Sequence, residues 1–154
     1  GQVDAVAAWS PMSLTILAQA ENATDICSNV DFATMASPGS WVVNPDWAAQ
    51  NADVLVRFNR AMFKAMDFAS AATSDDAVAQ EVAGYVAKIT GLDAESTIAQ
   101  RYDGSWLNSA QVLEMIESGK LVEYYNNQQV NFGDAAGPLK ADEFVLVDLM
   151  VNAK

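Results

Sequence analysis

Residues 1–11 read GQVDAVAAWSP, and the fold class turns on how that stretch is taken. Residues 3–9 are apolar or small apart from Asp4. Val3, Ala5, Ala7 and Trp9 fall on one face of a period-two pattern, Val6 and Ala8 on the other. A strand apolar on both faces belongs between neighbours in a buried, parallel sheet. Ser10 then offers a helix cap, and Pro11 suits a first helical position because its missing N–H needs no partner there. The stretch predicts a strand over 3–9 that runs into a helix over 11–20.

Working outward, TDICSNV (24–30) predicts a second strand and SWVVN (40–44) a third, after the Pro-Gly turn of MASPGS (35–40). From Pro45 onward the periodicity is helical. A short helix over 46–50 precedes a long one over 52–72. There Val54, Leu55, Phe58, Ala61, Met62, Ala65, Met66 and Ala69 form an apolar stripe, with Arg57, Arg60 and Lys64 on the other side as a solvated face. Ser74 is the expected cap of a helix over 75–89, with Val78, Val82, Tyr85, Val86 and Ile89 inward and Gly91 as its stop. Further helices are expected near 93–101, 109–117, 120–130 and 141–152, punctuated by Gly104, Gly119 and the GDAAGP break. No repeat and no low-complexity segment is present. Strands followed by helices predict an α/β fold whose sheet has few strands, too few to be complete.

Composition narrows the chemistry. The chain has 154 residues, the length of one ordinary domain. It is 51% hydrophobic, enough to fold around a core. Asp and Glu number 20 against 8 Lys and Arg, a net charge of −12. Such a field repels phosphate backbones and anionic lipids, which argues against nucleic-acid and membrane-surface binding. The first 56 residues hold six carboxylates (Asp4, Glu21, Asp25, Asp31, Asp46, Asp53) and no Lys or Arg. There is no His, which removes the commonest general base and the commonest zinc ligand together. Cys27 is the single cysteine, so no internal disulfide can form; in its apolar run it is expected to be a buried, inert thiol. Neither a metal site nor a cofactor is indicated.

The segment G-Q-V-D-A-V-A-A-W-S-P resembles the G-x-V-D-A…W-x-P segment of solute-binding proteins that serve ABC importers. The branch it is most similar to handles nitrate, taurine, alkanesulfonates and thiamine-pyrimidine precursors. The resemblance continues through GSWVVNPDWAAQNADVLVRFNRAMFKAMDFA (39–69), and ADEFVLVDLMVNAK looks like that family's terminal helix. It implies a type II periplasmic-binding-protein-like α/β fold of two lobes, of which this chain would supply the C-terminal half. Residues 1–22 would be the last strand-helix unit of lobe two, 23–38 the hinge and return crossing, and 39–154 the C-terminal part of lobe one. Where the family often carries an acidic residue this chain has Ser10, which points to a different or more anionic ligand.

On this resemblance the function expected is capture of a small anionic or heterocyclic solute in an interlobe cleft, with no catalytic residue. The partners implied are the solute, ABC permease subunits and the N-terminal half of the same protein. The location implied is periplasmic or extracytoplasmic, with a lipid anchor in the full-length form. In open α/β sheets ligands lie beyond the carboxyl ends of the strands, and a helix N-terminus favours an anion. Trp9 and Ser10 are therefore ligand-binding candidates, with Asp4, Ser40 and Trp41 beside them. RYDGSW (101–106) reads as a loop pinned by aromatics, and Tyr124 and Tyr125 as half-buried packing. Two alternatives remain: a thiamine-pyrimidine-synthase-like enzyme, whose His and Cys cluster have no counterpart here, and a helical interaction module without ligand. An unpaired strand edge also predicts self-association.

Overall fold

The computed structural model describes residues 3–32, 39–102, 104–133, 137–138 and 140–154. Among them there is no strand, and the chain is an all-helical small domain rather than the α/β, periplasmic-binding-protein-like fold expected from the sequence. The helices are α1 (Met12–Gln19), α2 (Pro45–Gln50), α3 (Ala52–Ser70), α4 (Asp76–Thr90), α5 (Ala94–Ala99), α6 (Ser109–Glu117), α7 (Lys120–Phe132), α8 (Ala141–Phe144) and α9 (Val147–Val151).

The three predicted strands fail for one shared reason: a strand is stable only beside another. Residues 3–8 make no hydrogen bond among the described residues, and Val3 and Val6 stay exposed. The second strand is interrupted by a 3-10 turn at Asn29–Asp31, where Asp31 accepts the Ser28 N–H at 2.7 Å. The third is held by side chains instead of a ladder, and its last residue, Asn44, becomes the cap of α2 by accepting the Trp47 N–H at 3.0 Å. The predicted turn at 35–38 and the break at 134–136 lie outside the described residues.

Helix ends follow local chemistry closely. Asp75, not Ser74, caps α4, accepting the N–H groups of Ala77 (2.9 Å) and Val78 (3.2 Å). Gly91 ends α4 at φ 73°, a left-handed conformation that costs a residue with a Cβ. Asn108 and Gln111 form a reciprocal capping box on α6. The predicted helix over 141–152 is divided into α8 and α9, because Val145 turns extended between them.

The chain divides into two compact units. One holds the described residues up to Cys27 together with Ala71–Trp106, and so contains α1, α4 and α5. Here α4 packs on α5 and on the 3-10 turn Ala71–Thr73. Its buried residues are Ala72, Ala79 and Ala83, while Tyr85 and Ile89, expected inward, are exposed. The face is turned because two alanines let the α4 backbone approach its neighbours closely, which Tyr85 and Ile89 would prevent. Arg101 secures this unit: its Nη1 donates to Asp76 at 2.7 Å and to the Ala72 carbonyl at 3.5 Å, and its guanidinium lies 4.7 Å from the Tyr102 ring centre. The RYDGSW loop is thus pinned by its arginine, with Tyr102 and Trp106 exposed.

The second unit holds Ser28–Ser70 and Leu107–Lys154. Its core joins Phe63 of α3, Val112 of α6 and Ala153 after α9, with Val56, Met66, Leu107, Leu113, Ile116 and Met150 packed around them. The predicted α3 stripe is rotated. Val54 and Phe58 are exposed, and Phe63, absent from the expected set, is the residue most enclosed on the helix. Arg60, assigned to the solvated side, reaches the Ala153 carbonyl with its Nε at 3.4 Å.

Candidate functional site

The five residues singled out by sequence divide between the two units. Asp4, Trp9 and Ser10 are in the first, Ser40 and Trp41 in the second.

In the first unit, Trp9 is 82% exposed, so it is not a core side chain. Ser10 does not cap α1. The N-cap position is Pro11, no side chain bonds the first turn there, and the Ser10 hydroxyl instead lies 3.3 Å from the Ser13 hydroxyl. The first turn is less open to an anion than the sequence suggests, because the Ser13 N–H already donates to the Trp9 carbonyl at 3.2 Å. Asp4 is exposed at a bend. Cys27, expected to be buried, is exposed.

In the second unit the structure brings residues together. The short segment before α2 lies against the nearby α3 and against α7 far along the chain. The Ser40 hydroxyl and the Tyr125 hydroxyl of α7 are 2.7 Å apart. The Trp41 ring meets the Phe58 ring of α3 edge to face, with centres 5.5 Å apart at 79°. Tyr125 in turn meets Phe144 of α8 at 6.1 Å and 88°. The paired hydroxyls thus stand between two separate aromatic pairs, one sharing Tyr125 and the other next to Ser40 in sequence. Trp41 is 75% exposed and Val42 93%, so Trp41 spends little of its surface on packing. Tyr125, Phe58 and Phe144 were not named as site residues by sequence. The Ser40–Tyr125 contact bridges 85 positions, and no local pattern encodes that.

A shallow groove runs along α7, lined by Lys120, Glu123, Tyr124 and Asn127. All four side chains come from a single helix, which makes it a furrow rather than an enclosed site. Among the described residues, no group of three His, Cys, Asp or Glu side chains is placed to hold a metal ion. None of the described helices is long and apolar enough to cross a membrane.

Aromatic edges and faces with two hydroxyls can hold a planar ring or accept and donate hydrogen bonds to a small oxyanion. Compared with family models, curated proteins and solved structures, the chain matches none.

Proposed function

We propose that this chain works by binding rather than by catalysis, as part of a protein that captures a small anionic or heterocyclic solute outside the membrane for an ABC importer. The reading starts from the likeness of residues 1–11 and 39–69 to solute-binding proteins. It is carried by one observation: Trp41, drawn from the sequence as a ligand contact, is exposed and neighbours a Ser40–Tyr125 hydroxyl pair. The chain's partners on this reading are the permease subunits and the polypeptide that the likeness sets ahead of residue 1. The sheet once expected in the chain is no part of the proposal.

Catalysis has little to work with. The absence of His from the sequence excludes Ser-His-Asp and Cys-His arrangements within the chain. Calorimetric titration of the purified chain with nitrate, taurine, a short alkanesulfonate and an aminopyrimidine tests the reading. One of them is expected to bind, and Trp41→Ala to weaken it at least tenfold, about 1.4 kcal/mol. Tyr125→Phe should weaken it less, since it removes one hydroxyl and keeps the ring. Trp9→Ala asks whether the first unit contributes. No binding by any of the four, or binding indifferent to Trp41→Ala, overturns the proposal.

A second reading, a helical interaction module without small ligand, is favoured by a different observation: Val3, Val6, Ile26 and Val42 are each more than half exposed.

A further inference from the structure

Asn22-Ala23-Thr24 is the one place in the chain where an Asn is followed two positions later by Ser or Thr. The residue between them is not proline, which would bar the pattern from use. Asn-x-Ser/Thr is the acceptor pattern for an N-linked glycan, and so short a pattern also arises by chance. It carries meaning where the fold presents it to an enzyme on a surface loop.

The fold does so here. Helix α1 ends at Gln19, and Ala20 turns extended as its C-cap. The chain then makes a tight turn, closed by the Ala23 N–H donating to the Ala20 carbonyl at 2.9 Å. Asn22 lies in that turn, and both Asn22 and Thr24 are exposed. From Ala23 the backbone runs on without helix or strand to the 3-10 turn at Asn29–Asp31. A transferase has to draw its acceptor into a cleft, and a surface turn can be drawn in without breaking a helical ladder.

The two side chains are also uncommitted. Among the described residues, neither the Asn22 amide nor the Thr24 hydroxyl makes a hydrogen bond. Other asparagines do local work: Asn44 and Asn108 cap helices, and Asn126 accepts the Ala141 N–H at 3.0 Å. Thr15, Thr90 and Thr97 direct their hydroxyls to carbonyls one turn back. Asn22 and Thr24 keep both groups open to another molecule.

We propose that Asn22 is a site of N-linked glycosylation. The co-substrate is a lipid-diphosphate-linked oligosaccharide, and the acting enzyme is a transferase that reads the Thr24 hydroxyl. In the step, the Asn22 Nδ2 bonds to the anomeric carbon of the first sugar, and that carbon's bond to the diphosphate oxygen breaks. The electron pair leaves with the diphosphate, one amide proton passes to a base of the transferase, and nothing is oxidised or reduced. Such transfer belongs to exported proteins. The inference therefore rests on the extracytoplasmic placement proposed above and not on solute capture.

The test incubates the purified, folded chain with a lipid-diphosphate-linked oligosaccharide and the transferase of eukaryotic microsomes, beside a peptide of residues 19–26. Intact-mass spectrometry is expected to show one glycan per chain, and release by a peptide amidase to leave an aspartate in place of Asn22. Asn22→Gln and Thr24→Ala should each lower occupancy at least tenfold, while Thr24→Ser should keep most of it. Circular dichroism should show the same helix content in all three. Modification of the peptide but not of the folded chain, occupancy indifferent to Thr24→Ala, or a glycan at another position would each overturn the proposal. No solute enters the assay, so glycan acceptance and solute capture can fail separately.

Discussion

Asp67, on α3, accepts both the backbone N–H of Ser109 at 2.7 Å and the Ser109 hydroxyl at 2.9 Å. Ser109 is the first residue of α6, 42 positions away. One carboxylate thus caps a second helix from outside it, adding to the box formed by Asn108 and Gln111 within it.

Those two donors hold the Asp67 carboxyl below its ordinary pKa. Asp93, the cap of α5, is lowered in the same way by the N–H and hydroxyl of Ser96. A carboxylate lowered in the native state stabilises it fully above the unfolded value, about 3.9. That contribution is lost as pH falls through the lower native value. Acid unfolding should therefore begin below about pH 4, and Asp67→Asn with Asp93→Asn should flatten it while lowering stability at neutral pH. Urea midpoints measured from pH 7 down to pH 2 check this; an acid limb unchanged in the double variant would contradict it.

The register of α3 is open to a paired substitution. Phe63 lies in the core at 6% exposure, while Phe68 on the same helix is 39% exposed. Phe63→Ala should destabilise by about 3–5 kcal/mol, and Phe68→Ala by under about 1 kcal/mol. Equal costs in urea denaturation would mean that the helix is not turned as described.

Two glycines of one helix should respond with opposite signs. An added Cβ meets nothing within 4 Å at either Gly84 or Gly91. Gly84 is inside α4, so Gly84→Ala should stabilise by about 0.5–1 kcal/mol through helix propensity. Gly91 holds φ 73°, so Gly91→Ala should destabilise by roughly 1–2 kcal/mol. Thermal midpoints of the two variants, moving in opposite directions from the parent, are the expected result.

The helices were legible because their signals are local. Asn44-Pro45, Asp93 and Gly91 each act within a few residues, and the helix ends fall beside them. The strands were not, because Val3–Trp9 carries the pattern of a strand without carrying its partner. Helix faces were half legible. Where alanines alternate with large side chains, as in α4, two neighbouring stripes are both apolar, and packing chooses between them. At the candidate site Ser40 and Trp41 could be named because they follow the Pro-Gly pair at 38–39 in the sequence. Tyr125 supplies half of the hydroxyl pair, yet only the folded chain brings it there.

Of the nine buried residues among those described, six are alanine, and no large side chain is fully enclosed. Calorimetrically this is an unusual interior. Heat capacity of unfolding tracks newly wetted apolar surface, typically about 12–15 cal/mol/K per residue. With alanine so prominent among its buried residues, the chain wets less apolar surface when it opens, so the increment here should fall below that range and the free-energy curve should bend only gently with temperature. The enthalpy of unfolding would then change little with temperature, where a core rich in enclosed phenylalanine and leucine would make it climb steeply.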